Sequence, residues 1–165
     1  MFQNLQIVTA MLVAMAMAFP FAHAAELPGK RRLTKEEYLT VQPIYYPGFT
    51  FGGLVGEFGG LVATFLLAVM TPIDDAAFWW VAASCLSLII MHGIYWTMTH
   101  PINNFWLQDV RLDQTSSVFF AIFAPKTISR DYSWTALRDR WEYSHVLRAV
   151  FGFISLLLLL TAITR

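Results

Sequence analysis

Four stretches of this chain, at residues 5–25, 49–70, 76–99 and 143–164, each run for about twenty residues with hardly a charged side chain. A helix of that length crosses the ~30 Å hydrocarbon core of a bilayer, and an α-helix satisfies all of its own backbone groups on the way. Runs this continuous lack the alternation of barrel strands, so the expected fold is all-α: a polytopic four-helix transmembrane bundle in a single integral membrane domain over residues 1–165. Composition agrees, with 57% hydrophobic and 13% charged residues and a mean hydropathy of +0.54. Equal numbers of basic and acidic residues, 11 of each, give no net field to recruit nucleic acid, so the expected partner is the lipid bilayer. The single cysteine, Cys85, excludes an internal disulfide and any cysteine-rich metal or iron–sulfur site.

The first run ends in Ala22-His23-Ala24, which resembles a signal-peptidase site. Against cleavage, residues 1–6 contain no Lys or Arg and the apolar run is longer than a usual signal core. Loop charges point the same way. Lys30, Arg31, Arg32 and Lys35 fall in the first loop; Arg111, Lys126, Arg130, Arg138 and Arg140 fall in the third, at 101–142. The second loop carries only Asp74 and Asp75. By the positive-inside rule, loops one and three are cytoplasmic and both termini lie on the other side of the cell inner membrane, which requires that the first run be kept as a span. Within the third loop, residues 118–124 form an apolar piece too short to span and suited to an interfacial or re-entrant position. Ser133 is placed to cap a helix that starts before the membrane and continues into the fourth span.

In the second run, Gly52, Gly56, Gly60, Thr64 and Ala68 recur every four residues. Small residues at that spacing let two helices approach closely in lipid, where packing drives association. The partner is either another span of the chain or a second copy, giving a homo-oligomer through Gly52, Gly56 and Gly60; the intrachain contact is the favoured expectation.

A charge at the centre of an apolar helix costs roughly 2.5–3.5 kcal/mol on insertion scales, so ionisable residues at membrane depth call for a partner or a function. His23 and Glu26, Glu57, His92 and His100, and Glu142, His145 and Arg148 make up this set. Spacings of three and eight keep side chains on about one helical face, so these groups are expected to converge on a pocket toward the cytoplasmic end. Three readings stay open. One is structural, with Glu142 pairing to Arg138, Arg148 to Glu57, and the histidines bonding to carbonyls. Another is proton-transfer or oxygenation chemistry on an apolar substrate from the bilayer, with histidine as base. The last is metal or haem ligation, since Glu142-Tyr143-Ser144-His145 has the Glu-x-x-His spacing of di-iron bundles; its ligands would be His92, His100, Glu142 and His145. A di-iron site needs a second such motif, so no metal or cofactor is expected. The chain has no Gly-rich phosphate loop, no His-Glu-x-x-His and no Gly-x-Ser-x-Gly, which leaves nucleotide-driven, zinc-protease and serine-hydrolase chemistry without a motif.

Several motifs together resemble a family of small four-helix membrane proteins of unknown function that includes the anthrone oxygenases. They are Ala25-Glu26-Leu27-Pro28-Gly29-Lys30; the segment from Tyr38 through Val41-Gln42 to Tyr45-Tyr46-Pro47-Gly48-Phe49; Pro101-Ile102-Asn103 following Trp96; and Trp141-Glu142-Tyr143-Ser144-His145 with Arg148. The likeness covers nearly the whole chain, and Pro-x-Asn and Trp-Glu-x-x-His-x-x-Arg are its most specific parts. It implies a retained first span and, by extension from the fungal relatives, conversion of an anthrone to an anthraquinone by molecular oxygen without a dedicated cofactor. On that implication His145 is the base, Glu142 orients it, Arg148 or Asn103 stabilises an enolate oxygen, and Trp96, Trp141 and His100 line a pocket for a small apolar or phenolic substrate. The alternative is a non-catalytic component binding a lipid, a quinone or a partner protein.

Overall fold

A computed structural model describes residues 2–46, 48–106 and 133–165. Among these residues four helices are long and apolar enough to cross a membrane: Phe2–Lys30, Gly48–Met70, Ala76–Asn103 and Trp134–Ile163, referred to below as the first to fourth spans. Each includes its expected run, apart from the final residue of the last, and the first, third and fourth extend past it. The chain is a multi-pass helical membrane protein. Of the third loop, both ends are helical, and its expected interfacial piece at 118–124, with Arg111, Lys126 and Arg130, lies outside the described residues.

The spans alternate in direction. The first packs against the second and fourth, and the third against the second and fourth, which closes a four-membered ring. Its apolar interior joins Val13 and Ala16, Leu67, Val81, Leu88 and Met91, and Leu159 and Ala162, drawn from all four spans. The outside is apolar too. Met11 (68% exposed), Val69 (68%) and Phe153 (59%) point away from the bundle, which suits lipid and not water. A serine pair, Ser84 and Ser155, crosses between the third and fourth spans with hydroxyls 2.8 Å apart.

The small-residue face of the second span is filled by the first. A Cβ placed on Gly56 would stand 3.0 Å from the backbone nitrogen of Ala16, one on Gly60 would stand 3.4 Å from the Leu12 carbonyl carbon, and one on Gly52 would collide with the Phe19 ring. The approach is tightest at Gly56, where backbone leaves little room for a Cβ, while at Gly60 a Cβ would stand at ordinary contact distance; the contact is intrachain. This is the favoured intrachain contact, and a homo-oligomer through Gly52, Gly56 and Gly60 would have to share that face with the first span.

Between the first two spans lies a short helix, α1 (Lys35–Val41), followed by a 3₁₀ turn, Gln42–Tyr45. The Thr34 hydroxyl accepts from the Glu37 amide at 3.3 Å and the Glu37 carboxylate accepts from the Thr34 amide at 2.8 Å, a reciprocal cap for a helix too short to hold itself. The apolar side of α1 puts Tyr38 against Ile102, Trp106, Leu137 and Trp141, so the first loop folds over the ends of the third and fourth spans. The fourth span starts at its expected cap, with the Ser133 hydroxyl accepting from the Ala136 amide.

Two spans are irregular at one level. The second has a π-helical turn at Leu54–Phe58 and the third has one at Tyr95–Thr99. Pro101, just beyond the latter, has no N–H to give to the carbonyl of Thr97 four residues back. Arg140 of the fourth span gives it instead, Nη2 to O at 2.7 Å. That bond ties a broken third span to its neighbour.

Candidate functional site

Polar residues from every span and from the first loop meet at the end of the bundle where that loop lies. The first span contributes His23, Glu26 and Lys30, at spacings of three and four that set them on one face. Lys30, expected in a solvated loop as a topology determinant, is instead 5% exposed. Its Nζ lies 3.0 Å from His23 Nδ1, 2.9 Å from Glu26 Oε2 and 3.6 Å from Glu142 Oε1, above the rings of Tyr45 and Trp141. Glu142 has no exposed surface; its Oε1 accepts from the Tyr38 hydroxyl at 2.9 Å. Burial, and then the neighbouring Glu142 carboxylate, hold the Tyr38 phenol far above its ordinary range, so it stays a donor. Tyr45 donates to Glu26 Oε2 at 2.8 Å, and burial with that bond raises its phenol as well.

Beside this cluster lies a cavity of about 410 Å³ whose walls come from all four spans and the first loop. The volume falls within the range of small-molecule sites, as does the mix of a mainly aromatic and aliphatic wall with a few polar groups. Both π-helical turns contribute: Leu54, Glu57 and Phe58 on one side, Tyr95, Trp96 and Thr99 on the other. A π turn rotates the residues after it relative to those before, and such turns often occur at functional sites. Leu54, Phe58 and Trp96 line the cavity and are also exposed on the outer face of the bundle, so its mouth opens sideways between the second and third spans.

Inside, His145 is 4% exposed, and its ring lies 4.2 Å from Trp141 and 4.3 Å from His23, centroid to centroid. Its Nδ1 is 2.9 Å from the carbonyl of Trp141 four residues earlier. A carbonyl can only accept, so Nδ1 donates and the neutral ring carries its lone pair on Nε2. Arg148, one turn further on, pairs with Glu57 of the second span and lies 5.0 Å above the Tyr95 ring. Asn103 is a junction: its Oδ1 accepts from Trp141 Nε1 at 2.6 Å and from the Tyr46 hydroxyl at 3.1 Å, and its side chain also bonds Tyr95.

The structure gathers His145, Arg148, Asn103, Trp96 and Trp141 around one cavity. Two residues take other positions. Glu142 is outside the lining, and with His145 held by its own helix's carbonyl, Glu142 does not orient that ring. It binds Tyr38 and Lys30, and Arg138, its expected partner, pairs with Asp139 at 2.8 Å. His100 also lies outside the lining, packed against Tyr95 and Trp96. The alternative ligand set of His92, His100, Glu142 and His145 is dispersed: among the described residues, no three His, Cys, Asp or Glu side chains form a group suited to a metal ion.

Lys30, Tyr38, Tyr45, Tyr46 and Phe49 were absent from the sequence-derived site. A signal existed for Lys30, which follows Glu26 by four residues and His23 by seven, the spacing of one helical face. The tyrosines signalled themselves only as an unusual density of aromatics in a polar loop, with no indication of where the loop would fold. The chain matches no family model, no curated protein and no solved structure.

Proposed function

We propose that this multi-pass protein resides in the cell inner membrane and takes a small apolar or phenolic molecule from the bilayer into the cavity. In keeping with the resemblance to the anthrone oxygenases, it then oxidises that molecule with molecular oxygen. The observation that carries this reading is an imidazole of fixed tautomer, His145, in the wall of an apolar cavity that opens sideways toward lipid. Positive-inside charge supports a cytoplasmic position for the first and third loops, with both termini on the other side.

The chemistry fits an anthrone-type methylene flanked by aromatic rings. His145 Nε2 takes a C–H proton, and the carbanion, delocalised onto the substrate's oxygen, passes one electron to dioxygen. Recombination forms a C–O bond, and the proton returns to give a hydroperoxide. Loss of water leaves a ketone. One oxygen atom ends in the ketone and one in water, so no further reductant is consumed. Arg148 supplies positive charge near the developing oxyanion, moderated by its pairing with Glu57. Asn103 acts by holding Trp141, Tyr46 and Tyr95 in place.

The test uses purified protein in lipid nanodiscs with an anthrone in air, following anthraquinone absorbance above the spontaneous rate. The wild type should exceed background at least tenfold, and His145→Ala should fall to background without losing thermal stability. A wild-type rate equal to background overturns the enzymatic reading. One observation favours a second reading, binding of a lipid or quinone without turnover: Glu142 and Asn103 direct their hydrogen bonds to protein partners. Quenching of tryptophan fluorescence by an anthraquinone with no turnover would select it.

A further inference from the structure

The cavity holds a second imidazole fixed in the same way. His92 lines it from the third span, and its Nδ1 lies 2.8 Å from the carbonyl of Leu88, four residues earlier, as His145 does with Trp141 on the fourth span. In both rings Nδ1 must therefore donate, and the neutral ring presents Nε2 as an acceptor. Among the described residues neither Nε2 has a protein partner, and neither is sealed from the surroundings, unlike the orphaned atoms of Gln42 and Glu142. A histidine at membrane depth with only its own helix as partner is expensive unless something else occupies the free nitrogen. His145 has a role in the proposed reaction; His92 has none.

We infer that His92 is a specificity-determining residue: its Nε2 accepts a hydrogen bond from a hydroxyl of the bound aromatic molecule, at a position remote from the one His145 attends. The inference rests on the proposed occupancy of this cavity and adds to it a requirement on the ligand. A flat apolar ring system satisfies the walls, but an unpaired imidazole acceptor in a largely apolar site discriminates against a ligand lacking the hydroxyl, because the nitrogen loses water and gains nothing. Thr50 and Arg148 also line the cavity, and each keeps one buried polar atom, Oγ1 and Nε, without a partner among the described residues.

Three air-stable probes of one shape separate the possibilities: 2,6-dihydroxyanthraquinone, its 2,6-dimethoxy ether and unsubstituted anthraquinone, titrated by quenching of tryptophan fluorescence in nanodiscs. The wild type should prefer the dihydroxy compound over the other two by about tenfold or more. His92→Phe, which keeps a ring and removes the acceptor, should bind all three alike, and His92→Gln, which restores an acceptor, should recover part of the preference. Equal binding of all three by the wild type, or an unchanged preference in His92→Phe, overturns the role of His92 while leaving the cavity as a binding site. Absence of binding by any probe overturns the occupancy itself and the inference with it. A His92→Phe protein that fails to fold would be recognised by its thermal transition, and His92→Gln against wild type then decides: a preference weakened or lost supports the role, a preference unchanged overturns it.

Discussion

The two ends of this bundle are built on different principles. Toward the second loop the four spans meet through side chains such as Leu67, Val81, Leu88 and Leu159, and the serine pair Ser84–Ser155 is a rare polar contact. Toward the first loop the same spans meet through Arg148 with Glu57, Lys30 with Glu26 and Glu142, and Asn103 with Trp141. In lipid an apolar contact gains little over contact with acyl chains, so the apolar end is held by shape, and shape tolerates substitution. A buried charge tolerates very little. The polar end is thus the costly end, and it is where both spans flanking the cavity depart from α-helical geometry.

The comparison breaks first at the pair joining the second and fourth spans. Arg148→Leu leaves the Glu57 carboxylate buried without its cation, and the expected loss is about 3–5 kcal/mol. The double change Glu57→Leu with Arg148→Leu removes both desolvated charges and should recover most of that loss. Thermal or denaturant unfolding in detergent across the full cycle measures the coupling. A double variant no more stable than Arg148→Leu alone would show that the pair matters through shape and not charge.

A middle-sized effect belongs to the glycine face, where the first span lies on the second. Gly56→Leu must push side-chain atoms into backbone already 3.0–3.1 Å from a Cβ, at Ala16 and Met15. Backbone cannot yield as a side chain would, so a loss of about 1–3 kcal/mol is expected, together with separation of the two spans. Gly93→Ala on the third span is the matched control. A Cβ there meets nothing within 4 Å, so the change should be neutral or stabilising by up to about 1 kcal/mol. Similar losses at both positions would mean that the glycines serve helix flexibility and not close approach.

How far each end was legible in the sequence follows from the same difference. The spans could be read because their signal is local: the length of an uncharged run, a Ser133 before a helix, glycines four apart. Arg148 with Glu57 could also be read, since two isolated opposite charges at membrane depth have few alternatives. The pairing of Glu142 was misread. Arg138 at i−4 is the nearest cation in sequence, yet the true partners, Tyr38 and Lys30, lie more than a hundred residues earlier and arrive only because α1 folds over the bundle end. The orientation of His145 was misassigned for a related reason. Any helical histidine has a carbonyl one turn back, and that local acceptor prevailed over a carboxylate three residues away. The π turns had a partial signal in Pro101, but the rescue of the Thr97 carbonyl by Arg140 depends on tertiary approach.

The smallest effect lies outside the membrane, in the cap that lets α1 reach its place. The Glu37 carboxylate accepts from the Thr34 amide, and that bond, with the Thr34 hydroxyl beside it, lowers its pKa below the ordinary value of 4.5. A depressed folded-state pKa means that the cap's contribution is fully present above the unfolded value and is lost as pH falls through the folded one. Helix α1 should therefore keep its order at neutral pH and loosen as the pH falls through the lowered Glu37 value. Because Glu37 is fully exposed, global stability should scarcely move with it. Hydrogen exchange of the α1 amides between pH 3 and 6, with its intrinsic rate divided out, checks this, and Glu37→Gln should flatten the profile while leaving the helix in place. If α1 loosens at acid pH, Tyr38 should lose its hold on Glu142, and probe binding in the cavity should weaken together with amide protection. If protection falls while binding stays constant, the first loop covers the site without shaping it, and the polar end is held by its spans alone.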